Sequence, residues 1–143
     1  MPAEGGPAIQ VTRGGGFYAL ESLDGQWLYF SKWGASEFGA GDGLWKVPMA
    51  GGEEVRILDR KVYWGNWDLA PGRIFFLTSK PKLGGEVWSI ELLNLKTGEV
   101  TRIFQQESPN RHVFLAVSRD EQWILYSEYL PREGDIMLVE NLR

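Results

Sequence analysis

The single histidine of the chain, His112, is the first residue whose chemistry could support catalysis. A histidine base in acyl transfer needs a nucleophilic hydroxyl and an orienting carboxylate within hydrogen-bonding reach. Ser118 and Asp120 follow it, but at ~3.3 Å of rise per strand residue Ser118 lies ~20 Å away along the same strand. No Gly-x-Ser-x-Gly elbow occurs in the sequence. The chain is therefore predicted not to be an enzyme, and Arg111 and His112 are possible ligand contacts instead.

Metal-binding chemistry has no better support. The turn aspartates Asp42, Asp120 and Asp135 are dispersed, and each is expected to accept hydrogen bonds from backbone amides beside it. No segment matches a calcium loop with Asp at alternate positions, and the chain has no cysteine. Glu53 and Glu54 begin a strand and are predicted to be a solvated edge that discourages aggregation. We predict no cofactor and no metal.

The segment Tyr63–Trp67, YWGNW, is the best candidate for contact with a small molecule. Aromatic rings beside an amide suit the recognition of a sugar or a peptide. In a continuous strand, Trp64 and Asn66 would share one face, with Gly65 on the other. The alternative is that the tryptophan rings pack inside the fold and touch no ligand.

These residues belong to a repeat that has to position them. The segment Gly25–Ser31, GQWLYFS, aligns with Gly72–Thr78 and again with Glu121–Ser127. The first and third copies lie 96 residues apart, with a more diverged copy between them. These strands are apolar at nearly every position, which indicates cover on both faces. Trp123 is therefore predicted to be a core aromatic whose truncation to alanine costs ~3–5 kcal/mol.

Further strands recur in the same order around each copy, so each unit reads as four short antiparallel strands joined by turns. A four-stranded unit of 40–50 residues that cannot bury both faces alone is typical of a β-propeller blade. A β-sandwich built from hairpins is the alternative. The strands that precede each copy are Phe17–Ser22, Val62–Leu69 and His112–Ser118. Those that follow it are Leu44–Val47, Val87–Ile90 and Ile136–Val139, and the outermost strands are Glu53–Leu58 and Glu99–Phe104.

A family resemblance appears at these residues. The segments SLDGQWLYFSK and VSRDEQWILYSEY, the latter followed by GDIMLVENL, resemble the repeat of TolB-type propellers. That repeat has a Ser-Pro-Asp-Gly turn, an aromatic-rich strand and an Asp-led strand, and the resemblance covers essentially the whole chain. Leu23 and Arg119 stand where proline is usual, and the middle copy lacks the aspartate. Similar propellers follow winged-helix domains in bacterial transcriptional regulators, but no winged helix is present, so DNA binding is not implied.

The repeat predicts an all-β fold with three blades of four antiparallel strands. Residues 17–60 form the first blade, 61–106 the second, and 107–143 a third that lacks its outer strand. Residues 1–16 supply the outer strand of a split blade, because Ile9–Arg13 resembles Val100–Arg102.

Three blades do not close a ring, since propellers have four to eight. Two copies head to tail would give six, if the strand Ile9–Arg13 of each chain paired with Ile136–Val139 of the other. The predicted partner is thus the chain itself, as a dimer. Nine blades from three copies and a monomer with a frayed edge are the alternatives. The predicted assembly residues are Ile9, Gln10, Val11, Thr12, Arg13, Ile136, Met137, Leu138 and Val139.

Composition limits the remaining partners. The net charge of −4 does not favour nucleic-acid binding, and no run approaches the ~18 apolar residues of a membrane span. Met1–Gly16 has no basic start and no apolar stretch, so no signal peptide is predicted. Expressed as written, the chain would stay in the cytoplasm, and the compartment of a parent protein is unknown.

Three functions are compatible with the sequence. The preferred one is a non-catalytic binding or scaffold module that assembles with itself, as a fragment or designed derivative of a larger propeller. The second is the sensor half of a transcriptional regulator, which binds a protein or a small molecule. The third, a propeller hydrolase, is disfavoured because such enzymes need a separate catalytic domain or a cluster of polar residues.

Overall fold

The computed structural model describes residues 4–32, 40–41, 43–63, 65–109, 111–129 and 134–140. For 40, 41, 63, 111–113, 129, 134, 135, 139 and 140 it describes the backbone alone. These residues form strands, turns and irregular segments, with no helix among them. Within that part of the chain there is accordingly no helix of the length and apolarity that crossing a membrane requires.

The strands build three antiparallel sheets and one short ladder. Sheet 1 has the order β1-β2-β4-β5, sheet 2 the order β7-β8-β9-β10, and sheet 3 the order β11-β12-β13, while β3 pairs with β6. The predicted all-β architecture of antiparallel units is confirmed as sheets of four, four and three strands. In chain order the strands are β1 (Phe17–Glu21), β2 (Trp27–Ser31), β3 (Ala40–Gly41), β4 (Leu44–Pro48), β5 (Val55–Leu58), β6 (Val62–Tyr63), β7 (Trp67–Ala70), β8 (Arg73–Lys82), β9 (Gly85–Asn94), β10 (Val100–Ser108), β11 (Arg111–Val117), β12 (Trp123–Tyr129) and β13 (Gly134–Glu140).

Sheet 2 lies between sheets 1 and 3 and shares a core with each. Ile74 and Phe76 enter the core that contains Tyr29 of sheet 1, whereas Phe75 and Leu77 enter the core shared with sheet 3. Successive residues of a strand point to opposite faces, so an uninterrupted apolar run in β8 supplies both cores. The expectation of cover on both faces is therefore confirmed for the middle sheet.

Two turns repeat atom by atom. Ser22 Oγ donates to Asp24 Oδ1 at 2.6 Å and accepts a hydrogen bond from the Trp27 amide at 2.9 Å. The Asp24 oxygen also accepts from the Gln26 amide at 3.1 Å. The same three contacts recur 96 residues later, at Ser118, Asp120, Gln122 and Trp123. The prediction that Asp120 accepts hydrogen bonds from backbone amides beside a turn is confirmed.

The repetition extends to irregular backbone. A register shift in the β1–β2 ladder falls at Tyr18, and one in the β11–β12 ladder falls at Phe114, 96 residues later. Both residues have positive φ, 41° and 59°, which non-glycine residues seldom adopt. Such bulges increase strand twist, and their recurrence shows that sheets 1 and 3 share a backbone design.

The middle copy departs from the sequence prediction in two ways. The predicted strand Val62–Leu69 is interrupted, because Gly65 at φ 72° turns the chain between β6 and β7. The alternation expected for YWGNW is therefore wrong.

The second departure concerns the alignment of the middle copy. Tyr29 faces sheet 2, whereas Phe76, the residue aligned with it, faces back towards sheet 1. The sequence alignment that matches Gly25 with Gly72 is therefore out of phase by one residue. A shift of one residue places every side chain of the strand on the other face of the sheet. The two turns also differ in length. Two residues lie between Ala70 and Arg73, which pair with each other, whereas four residues lie between Ser22 and Trp27.

The third sheet offers a test of this turn chemistry. Glu121 has φ 56° at the position where the first turn has Gly25 at 68°. We expect Glu121→Gly to be more stable than Glu121→Ala by ~1 kcal/mol, because a Cβ is disfavoured in this region. Both variants remove the ion pair with Arg73, so their difference in urea unfolding isolates the backbone effect. Equal stabilities would contradict this account.

Candidate functional site

One face of sheet 3 carries large apolar side chains that nothing covers in the described part of the chain. We name it the open face; it consists of Trp123, Leu125, Ile136 and Leu138, which are 40–78% exposed. These residues lie on one side of the sheet, because Leu125 pairs with Leu138 and Ser127 with Ile136. The prediction that Trp123 is a core aromatic is wrong for the single chain, since no sheet among the described residues covers its face and it is 40% exposed.

The corresponding positions of sheet 1 are buried. Leu44 pairs with Ser31 as Ile136 pairs with Ser127, yet Leu44 is 0% exposed and Ile136 is 78% exposed. Tyr29 is 7% exposed, against 43% for Leu125. Sheet 2 covers these positions in sheet 1, so the open face has the composition of an interface between sheets.

The opposite end of the stack is the back face of sheet 1, which consists of Leu28, Phe30, Trp45 and Val47. Phe30 and Val47 are fully buried. Gly16 packs against the Phe30 ring, since a Cβ there would lie 3.3 Å from a ring carbon. The Lys32 ammonium lies 3.8 Å from the centroid of the Trp45 ring, a cation–π distance. The chain's own residues thus cover part of this face.

Glu54 fixes the segment that crosses this face. Its Oε1 accepts hydrogen bonds from the Arg13 and Gly14 amides at 2.8 and 3.3 Å, and its Oε2 contacts Lys32 Nζ at 2.5 Å. The Lys32 hydrogen bond, and then the Arg13 amide, lower the pKa of the Glu54 carboxyl. The prediction of a solvated Glu53–Glu54 pair is confirmed for Glu53 and wrong for Glu54, whose side chain is 14% exposed.

The residues before this contact form an irregular arm, which we define as residues 5–12; it is exposed over residues 5–10 and half-buried at Val11 and Thr12. The predicted strand Ile9–Arg13 is absent within the single chain, because no described strand lies beside it to form a ladder. Ile9 is exposed, and Gln10 donates to the Thr12 carbonyl within the arm itself.

The outer edge of β13 has no strand beside it in the described residues. Among the described strands β13 pairs with β12 only, whereas β4 and β9, the third strands of sheets 1 and 2, each carry a fourth strand on that side. Ile136, Met137 and Leu138 are exposed on β13, and the side chain of Val139 lies outside the described residues.

Asn66, a predicted ligand contact, lies instead at the junction between sheets 2 and 3. It is 5% exposed, and its side-chain oxygen accepts a hydrogen bond from the Phe114 amide at 2.9 Å. Asp68 Oδ2 similarly accepts from the Val117 amide at 2.8 Å. Sequence analysis missed Asp68. The signal that could have identified it is its position just after the Gly65 turn, on a strand at the edge of its sheet.

The other predicted ligand contacts are only partly described. Trp64 lies outside the described residues. Arg111 and His112 begin β11, where their backbones pair with Tyr129 and Glu128, and their side chains also lie outside the description. The structure therefore does not bring the four candidates into one described site.

A second buried carboxylate escaped sequence analysis. Glu91 on β9 is 5% exposed, forms an ion pair with Arg60 and lies 3.9 Å from Arg102. Thr78 Oγ1 donates to the same carboxylate at 3.2 Å. This network ties the segment after β5 to sheet 2, as Glu54 ties Arg13 and Gly14 to sheet 1. Among the described residues no three metal-ligating side chains cluster.

No protein-family model matches the chain, and no curated protein matches it. The open face, the outer edge of β13 and the arm that precedes the Glu54 contact are the surfaces that bear on the function of this chain.

The Glu54 contact predicts a specific pH response. Because the folded pKa is lowered, the contact persists above the ~4.3 of an unperturbed glutamate and is lost as pH falls through the lower folded value. In an NMR titration the Arg13 and Gly14 amide signals should move with that acidic midpoint. Glu54→Ala should abolish the response and Glu53→Ala should preserve it. A midpoint at or above 4.3 would contradict the assignment.

Proposed function

We propose that this chain is a non-catalytic scaffold module that assembles head to tail with a second copy into a closed ring of six sheets, a β-propeller. One observation carries the proposal. The open face of sheet 3 repeats a face that sheet 2 buries on sheet 1, with Ile136 at 78% exposure where Leu44 is at 0%. A second copy of sheet 1 is the surface in this protein best suited to cover it.

The junction between copies would repeat the junctions within one chain. Inside the chain, the face of sheet 1 that carries Tyr29 packs against the face of sheet 2 that carries Ile74 and Phe76, and these two faces are not equivalent. Sheets 1 and 3 are in phase, so the open face of sheet 3 would pack on the back face of sheet 1 in the second copy, on the part around Leu28 and Trp45 that the segment held by Glu54 leaves half-buried. The two surfaces are unlike, and such a heterologous contact forms a ring when its rotation closes. Two copies supply six sheets, within the range of propellers.

The arm supports this arrangement. Ile9 and Val11 alternate with Gln10 and Thr12, the pattern of a strand with one apolar face. The sequence Val11–Arg13 matches Val100–Arg102 of β10, which pairs beside β9 through Val100 and Leu93. By that equivalence, the arm of one copy would pair with the free edge of β13 in the other.

The sizes of the free-energy terms indicate why assembly needs both the open face and the arm. Covering four half-exposed apolar side chains at each of two junctions contributes roughly 6–12 kcal/mol. Association costs ~4–15 kcal/mol in lost translational and rotational freedom. Since these terms are similar, apolar burial alone does not favour assembly decisively, and the arm's backbone ladder supplies the difference.

Removing the arm tests the strand exchange. In light scattering, the intact chain should have twice the 16.2 kDa mass of one copy, and a chain without Met1–Arg13 should have the single mass. The truncated chain loses the ladder along β13 and also the Arg13 contact with Glu54, so circular dichroism has to show that its sheets remain folded. If it retained the full-length oligomer's mass, strand exchange would be wrong.

A point substitution tests the open face without touching the arm. Ile136→Lys should shift the assembly to single chains, because a buried junction cannot hold an unpaired ammonium. Its side chain is exposed in the single chain, so folding should survive, as circular dichroism would show. The control is Leu83→Lys at the fully exposed tip of the β8–β9 hairpin, which should keep the double mass. Assembly by both variants, or by neither, would refute this use of the open face.

A further inference from the structure

An open cavity of about 490 Å³ lies between the β1–β2 turn of sheet 1 and the β7–β8 turn of sheet 2. Its apolar wall consists of Trp27, Tyr29, Leu69 and Leu95. This volume falls in the range of small-molecule sites, ~300–1,000 Å³, which are mostly apolar with a few placed polar groups. The cavity is built from one chain, so its existence does not depend on assembly.

Two opposite charges line the same cavity. Asp24 accepts hydrogen bonds from Ser22 and Gln26 through Oδ1, and it forms no ion pair with the described part of the chain. Lys96 forms no ion pair within those residues either, although Asn94 Oδ1 accepts from its backbone amide at 2.9 Å. The cavity thus presents an anionic oxygen and a cationic amine, each available to a ligand.

The aromatic residues complete this arrangement. Burial, and then the Asp24 charge, raise the pKa of the Tyr29 hydroxyl, so it stays protonated beside the carboxylate. The Lys46 ammonium lies 4.3 Å from the centroid of the Trp27 ring and covers one face of it. An incoming apolar group therefore meets the remaining surface of Trp27, together with the leucine side chains.

We propose that this cavity binds a small zwitterion with a large apolar body, of the size of an aromatic amino acid. Its ammonium group would pair with Asp24 and contact the Tyr29 hydroxyl, and its carboxylate would pair with Lys96. The apolar body would pack on Trp27, Leu69 and Leu95. Charge complementarity at two points distinguishes this ligand from a purely apolar or singly charged one.

Three probes test the ligand class by NMR and calorimetry. L-phenylalanine carries both charges, phenethylamine lacks the carboxylate, and 3-phenylpropionate lacks the ammonium. L-phenylalanine should bind saturably and shift the Trp27 indole signal, and each singly charged analogue should bind at least ~10-fold more weakly, the effect of one lost charge contact. Equal binding of all three, or no saturable binding of L-phenylalanine, would overturn the proposal.

A matched pair of variants locates the site. Asp24→Asn and Asp120→Asn alter equivalent turns with the same hydrogen bonds, but only Asp24 lines the cavity. Asp24→Asn should weaken L-phenylalanine binding ~10-fold and Asp120→Asn should leave it unchanged. Equal losses in both would attribute the effect to turn stability and refute the site.

Two further variants complete the test. Lys96→Met removes the second charge from an exposed turn residue, keeps the backbone hydrogen bond that this residue donates to Asn94, and should also weaken binding. Repeating the titration on Ile136→Lys separates ligand binding from assembly, because the cavity lies within one chain.

Discussion

A sheet that is apolar on both faces has to be covered on both, and this constraint organises the molecule. Sheet 2 satisfies it within the chain, because consecutive residues of β8 enter two separate cores. Sheets 1 and 3 each use sheet 2 for one face only. Sheet 1 partly covers its other face with the segment held by Glu54, whereas the open face of sheet 3 stays exposed among the described residues. The proposed ring is the arrangement that removes this difference between two sheets of one design.

Polar contacts set how the apolar layers meet. Asn66 and Asp68 accept hydrogen bonds from backbone amides of β11, and these bonds fix the junction between sheets 2 and 3. Glu91 and Glu54 are largely buried carboxylates paired with cations, and each ties a connecting segment to a sheet. Removing one partner of such a pair leaves an uncompensated charge, so these residues determine where each connection runs. The apolar residues drive the stacking, and the carboxylates specify its geometry.

Much of the fold could be predicted because its signals are local. The order of strands and the turn at Ser118–Trp123 follow from side-chain alternation and from hydrogen bonds within a few residues. The candidate site was harder to predict from the sequence. Glu54 looked like an ordinary edge residue, since its partners Arg13 and Gly14 lie about forty positions earlier. The interruption at Gly65 was missed because a single glycine in a strand pattern does not reveal the sign of its φ.

Repeated antiparallel sheets could be inferred from the amino-acid sequence alone, because side-chain alternation and turn chemistry act between near neighbours. The sequence also marked sheets 1 and 3 as the two most similar copies, 96 residues apart. The packed sheets were needed to show which faces are covered, that the middle copy is out of phase by one residue, and that a charged cavity opens between two turns. These properties depend on distances between residues remote in the chain, and such distances are set when the sheets pack.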